Sequence, residues 1–212
     1  MNVSEIFNSV EGEGKRVGLP CTFIRLFGCN LRCSYCDSMY AVEGDSYTVM
    51  NVLDIIAEVD KLDCLNVTVT GGEPLIHTGC KELLYELCNR GYKVNVETNG
   101  SVPIVVRHPN LFYTVDYKTL SSGVSDEMIP GIFSRLSHND VIKFVVGNEY
   151  DLVHAKSFID SIITDAQIYV SPIFGKIEPS KIVEFIKKNK LWNWHIQLQL
   201  HKYIWNPDKR GV

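Results

Sequence analysis

What this sequence lacks narrows it first. Its 212 residues contain no apolar run of 18, so no membrane-spanning helix is expected. Neither sign of charge dominates. Lys and Arg number 21 against 25 Asp and Glu, for a net charge of −4, which argues against a basic nucleic-acid clamp. The opening stretch, Met1 to Gly14, carries Glu5, Glu11 and Glu13 and no apolar segment, unlike an export signal. A cytoplasmic protein with no membrane or nucleic-acid partner is therefore expected. No repeat, low-complexity tract or linker interrupts the chain, so residues 1–212 read as a single domain. A hydrophobic content of 45% is enough for a sizeable core and rules out disorder.

What is there begins with β-branched apolar runs. Strands are expected at Cys21–Phe27, Asn66–Thr70, Lys93–Glu97, Phe112–Asp116, Val141–Val146, Gln167–Ser171 and Trp194–Leu200. Helical patterns fall between several of them: Thr48–Leu62, Lys81–Arg90 stopped by Gly91, Asp151–Ile163, and Pro179–Asn189 with proline near its start. The segment Ser121–His138 is irregular. Strand–helix alternation predicts an α/β fold with a mainly parallel sheet and all strand-to-helix loops at one rim. Seven strands are too few for a closed eight-unit barrel, so an incomplete, TIM-like barrel is expected. Its open side must be covered by a second copy or by the terminal segments.

The seven cysteines are an odd number in a chain with no export signal, a poor basis for disulfides. Cys29, Cys33 and Cys36 form C-x3-C-x2-C. Three thiolates on one loop suit a soft metal centre. They fit a [4Fe–4S] cluster with one iron left open, or a zinc site completed by a distant histidine, or three buried thiols. Cys21, Cys64, Cys80 and Cys88 read as small buried hydrophobes. Trp192, Trp194 and Trp205 read as core or dimer packing.

Two more motifs close strands: Thr70-Gly71-Gly72-Glu73-Pro74 and Glu97-Thr98-Asn99-Gly100. With the cysteine triplet they converge on the rim where α/β barrels keep their functional loops. In this combination the chain resembles the radical S-adenosylmethionine (SAM) superfamily, with its C-x3-C-x2-C and GGEP motifs. Within it, the start Phe7-Asn8-Ser9-Val10-Glu11-Gly12-Glu13-Gly14, the loop Cys29 to Ser38 and the end Gln197-Leu198-Gln199-Leu200-His201-Lys202 resemble the 7-carboxy-7-deazaguanine synthase family. A small activase of glycyl-radical enzymes is the nearest rival. A non-catalytic metal module is the rival from another class.

The resemblance implies a lyase of queuosine-type 7-deazapurine biosynthesis. It would use a [4Fe–4S] cluster, SAM as a reusable cofactor, and Mg2+. It implies conversion of 6-carboxy-5,6,7,8-tetrahydropterin to 7-carboxy-7-deazaguanine with loss of ammonia. Also implied are a homodimer and a flavodoxin or ferredoxin as electron donor. Residue by residue, Cys29, Cys33 and Cys36 would ligate the cluster and Ser38 the Mg2+. Tyr35, Cys36, Asp37, Gly72, Glu73, Asn99, Asp116, Tyr117, Lys118, Ser171 and Pro172 would surround SAM. Gly71 and Gly72 would let backbone approach the ligand, and Glu73 would accept from its ammonium. Val10, Glu11, Gly12, Glu13, Arg25, Thr70, Glu97, Gln199, His201 and Lys202 would hold the pterin. Arg25 would clamp its carboxylate, and Glu97 is the catalytic candidate.

Overall fold

A computed structural model of the chain describes residues 1–207 and 209–212. Nine strands form one sheet: β1 (Asn2–Val10), β2 (Pro20–Leu26), β3 (Thr48–Val49), β4 (Asn66–Gly71), β5 (Lys93–Thr98), β6 (Leu111–Lys118), β7 (Val141–Val146), β8 (Gln167–Pro172) and β9 (Trp194–Ile196). Their order is β3-β1-β2-β4-β5-β6-β7-β8-β9. From β2 through β4 to β9 every neighbouring pair is parallel. The seven expected strands are these seven. β1 and β3, both antiparallel, were not expected. Along β1 only Val3 is buried, so it lacks the apolar signature that marks the others. β9 ends at Ile196, four residues short of the expected Leu200, because Gln197 turns away to bond the loop after β1.

The helices are α1 (Val52–Leu62), α2 (Cys80–Asn89), α3 (Pro130–Phe133), α4 (Glu149–Asp160), α5 (Pro179–Lys188) and α6 (His201–Ile204). α1 starts later than expected. Its cap is Asn51, in a reciprocal capping box with Asp54, while Thr48 belongs to β3. α4 is capped by Asn148, whose side chain accepts from the Tyr150 and Asp151 amides. Asp151, expected to open this helix, is instead buried inside its first turn and accepts from the Ser121 and Gly147 amides. α2 stops at Gly91, whose φ of +93° suits glycine.

One face of the sheet is apolar. Val67, Val69, Val94, Val96, Val115, Ile142, Phe144, Ile168 and Val170 are sealed under α1, α2, α4 and α5 through Ile55, Leu83, Leu87, Leu152, Phe158 and Ile182. Burial of each such side chain contributes roughly 1.5–3 kcal/mol. Cys21, Cys80 and Cys88 are buried as expected, whereas Cys64 is half-buried. Trp194 stacks on Phe144 in the core, but Trp192 is 72% exposed.

The open side of this partial barrel is bridged by the chain's own termini. The loop after β1 reaches the segment after β9: Gln197 accepts from Gly14 N at 2.8 Å and donates to Gly14 O at 2.9 Å, and Leu200 N donates to Gly12 O at 2.9 Å. Arg16 closes the end opposite the functional rim. Its buried guanidinium donates to Lys93 O, Val67 O and Thr68 Oγ1 and pairs with Glu11 at 3.7 Å.

Candidate active site

Strand alternation sends a second set of side chains to the other, concave face. Register places Arg25 beside Thr70, Glu97 beside Thr114, Asp116 beside Lys143, and Val145 beside Ser171. Thr70 donates to Glu97 Oε2 at 2.7 Å. Lys143 is 5% exposed and lies 3.1 Å from both Glu13 and Asp116. Lys118 pairs with Asp116 at 2.9 Å, and Ser171 donates to Glu13 at 3.2 Å. Desolvation opposes the charge of Lys143, but Asp116, Glu13 and Glu97 outweigh it and hold its pKa well above the ordinary lysine value. Burial pushes the Glu97 carboxyl up to about 7, helped by the charges of Glu11 and Glu13 and opposed by Lys143. Such a group exchanges a proton near neutral pH.

The three-cysteine loop leaves β2 and sits over this face. Cys29, Cys33 and Cys36 are free and half-buried. Leu31 N and Asn99 Nδ2 donate to the Cys29 sulfur at 3.4 and 3.7 Å, as cluster-ligating sulfurs are commonly tuned. Ser34 ties the loop to the turn after β6 through Ser122 O at 2.9 Å and Ser121 O at 2.5 Å. Burial pushes the Cys33 and Cys36 thiols up, so a metal must displace their protons. The Tyr35 hydroxyl, on the same loop, is buried and has no hydrogen-bond partner among the described residues. A donor left so is costly without a ligand. The donor set and this orphan fit a cluster with a polar cosubstrate.

Several expected residues also make structural contacts. Glu73 is fully buried, and its oxygens accept from Leu75 N at 2.9 Å, Thr98 Oγ1 at 2.8 Å and Asn99 N at 2.7 Å. It is a strut that places Asn99, whose N–H donates to Oε2. Gly71 and Gly72 let neighbouring backbone segments pack closely. A Cβ on Gly71 would strike the Leu26 backbone, and one on Gly72 would strike Gly28 O and Cys29. Tyr117 faces away from the site, stacked on Phe158 at 4.0 Å, because it alternates with Asp116 and Lys118. Pro172 and Val10 end their strands, β8 and β1. Glu11 is 1% exposed at the barrel floor, bound by Thr68 and Arg16.

Arg25 does reach the concave face, where Glu5 takes its Nε at 2.7 Å and leaves the rest of the guanidinium to Phe7 and Tyr40. Ser38 donates to Asp37 at 3.0 Å. Gln199, His201 and Lys202 are not on a strand; His201 and Lys202 lie in α6. His201 packs so tightly on Gly12 that a Cβ there would collide with its ring. Lys202 bonds Asp37 at 3.0 Å. Burial pushes the Asp37 carboxyl up, but the Lys202 charge and bonds from Lys202 and Ser38 reverse this, down to about 2.

Lys143 and Gln197 were not expected. A lone cation inside Val141-Ile142-Lys143-Phe144-Val145-Val146 was the available signal for the first, and its place before Gln199 in the C-terminal motif that for the second.

The radical SAM superfamily matches residues 23–115 of the chain. A 7-carboxy-7-deazaguanine synthase of Clostridium acetobutylicum is 43% identical over 99% of this chain and 98% of its own length. The chain belongs to the 7-carboxy-7-deazaguanine synthase family. That membership decides between the readings left open by the cysteine spacing: the protein is a radical SAM enzyme, and the family implies a [4Fe–4S] cluster and SAM. The synthase of Chlorobaculum tepidum is 41% identical over 100% of this chain and 97% of its own. In fold, the chain is similar to the crystal structure of QueE from Escherichia coli, at a TM-score of 0.76 and 24% identity over 93% of this chain and 92% of that one. No helix among the described residues is long and apolar enough to cross a membrane.

Proposed function

We propose that this enzyme converts 6-carboxy-5,6,7,8-tetrahydropterin into 7-carboxy-7-deazaguanine with loss of ammonia. The observation that carries the reading is the end-to-end identity of 43% to a synthase of that product. Substrate and product differ by one ammonia, so the conversion needs no net oxidant. The cluster and SAM, when bound, supply a 5′-deoxyadenosyl radical.

The chain's own residues would do the rest. Cys29, Cys33 and Cys36 hold three irons. Asn99, set by Glu73, steadies Cys29 through its side chain. Asp116, Lys118, Tyr35 and Ser171 line the approach to SAM. Arg25 offers its guanidinium to the pterin carboxylate, and Glu13 and the Gly12 backbone meet the pterin's N–H edge. Glu97, steadied by Thr70, holds or releases a proton beside the ring. Ser38 offers an oxygen to Mg2+, with substrate and water completing the shell. A homodimer, a reduced flavodoxin or ferredoxin as electron donor, and a cytoplasmic setting complete the proposal.

The test is anaerobic turnover with reconstituted protein, reductant, SAM and the carboxy-tetrahydropterin. Stoichiometric ammonia and deazaguanine with catalytic use of SAM are expected. An intact cluster that gives no pterin-dependent product would overturn the reading.

A further inference from the structure

Glu13 and Asp116 come from opposite parts of the barrel. Glu13 lies on the loop after β1, and Asp116 lies on β6. In the sheet β1 is separated from β7 by β2, β4, β5 and β6, so no ladder hydrogen bond fixes the distance between the two carboxylates. Lys143 spans them. Its Nζ is 3.1 Å from Glu13 Oε2 and 3.1 Å from Asp116 Oδ1, at 5% exposure. The charges explain why a lysine is needed there. Glu13, Asp116 and Glu97 bring three carboxyls onto one buried face, and Lys118 pairs with Asp116. Without Lys143, Glu13 keeps, among the described residues, the Ser171 hydroxyl as its hydrogen-bond donor and would be repelled from Asp116 and Glu97.

We propose that Lys143 is a positioning residue that builds the pterin and SAM subsites together. The loop itself is pinned by Gln197 and Leu200, and the Lys143 ammonium fixes where its Glu13 carboxylate points, at a set distance from Asp116. It touches neither ligand; it acts through the two carboxylates. This rests on the substrate reading above for what Glu13 and Asp116 contact.

The experiment measures pterin and SAM affinity by equilibrium titration of reconstituted holoenzyme, with iron content and visible absorbance as controls. Lys143→Met should keep the cluster, bind pterin roughly 30- to 100-fold more weakly, and bind SAM roughly 10-fold more weakly. Glu13→Gln alone should also weaken pterin binding, and the double variant should be little worse than either single one, since both remove the same link. Should Lys143→Met fail to retain its cluster, Lys143→Arg carries the test. Its charge remains but its bulk displaces the carboxylates, so pterin affinity should fall about 10-fold with absorbance intact. Pterin affinity within about 3-fold of the parent in a cluster-loaded Lys143 variant, or additive losses in the double variant, would overturn the proposal. A parent enzyme that binds SAM but no pterin overturns the substrate reading instead.

Discussion

On the convex side of the sheet, Val67, Val94, Val96, Ile142 and Phe144 are wholly buried under helices. On the concave side the same strands present Thr68, Thr70, Asn95, Glu97, Thr114, Asp116 and Lys143. Neighbours one residue apart thus obey opposite rules. Apolar burial stabilises the fold at every convex position, whereas each concave polar group must recover its lost hydration from a partner. Most do, through Thr70 to Glu97, Arg16 to Thr68 and Lys143 to Glu13 and Asp116. The Nδ2 of Asn95 does not, within the described residues, although its Oδ1 accepts from Thr114. The concave face is therefore where the fold gives up stability for chemistry.

The largest expected effects come from breaking each side in turn. Cys33→Ala should abolish the cluster, its visible absorbance and all turnover, while leaving the unfolding midpoint of the metal-free protein nearly unchanged. Phe144→Ala should do the reverse. It removes a fully buried ring that contacts Tyr117 and Trp194, at a cost of about 3–5 kcal/mol in denaturant unfolding. A metal-free Cys33→Ala protein that unfolds as readily as Phe144→Ala would erase the distinction between the two sides.

Glu97 sharpens the comparison further, because here function and stability pull apart. Its folded pKa of about 7 exceeds the ordinary 4.5. The folded protein therefore keeps this proton longer than the unfolded chain, and stability falls as pH rises from about 4.5 to about 7. Glu97→Gln removes that slope. It should abolish turnover yet raise stability at pH 8 by up to about 3 kcal/mol, with little change at pH 4. Denaturant titrations at the two pH values check this. A variant less stable than the parent at pH 8 would make Glu97 a structural group.

The sequence announced the convex side better than the concave one. Strands such as Val141–Val146 are read directly because they are largely buried on both faces and apolar at every position but Lys143. β1 escaped notice because it lies toward the sheet's antiparallel edge with one buried residue. In the site, the cysteine triplet was legible from spacing alone. The roles of Glu73 and Tyr117 were not, since a motif gives position along the chain and not direction. Glu73 turns inward beneath its loop to cap Leu75 and Asn99, and Tyr117 falls on the wrong parity of β6. Lys143 needed the register that brings β7 opposite the loop after β1, a contact 130 residues apart in the chain.

The smallest expected effect lies at the rim where the two sides meet. Lys202, 11% exposed, reaches from α6 to Asp37, 51% exposed, next to Cys36 of the cysteine triplet. The Asp37 carboxyl is held at about 2, below its ordinary 3.8, so the pair stabilises the fold above about pH 4 and loses its contribution as pH falls toward 2. Water and salt screen so exposed a carboxylate, and the contribution should stay under about 1 kcal/mol. Lys202→Met should therefore lower stability slightly at pH 7 and still less at pH 2, and added salt should shrink the difference. If instead it costs as much as Phe144→Ala, independent of salt, then α6 belongs to the core and the terminal segment is more than a bridge across the open side.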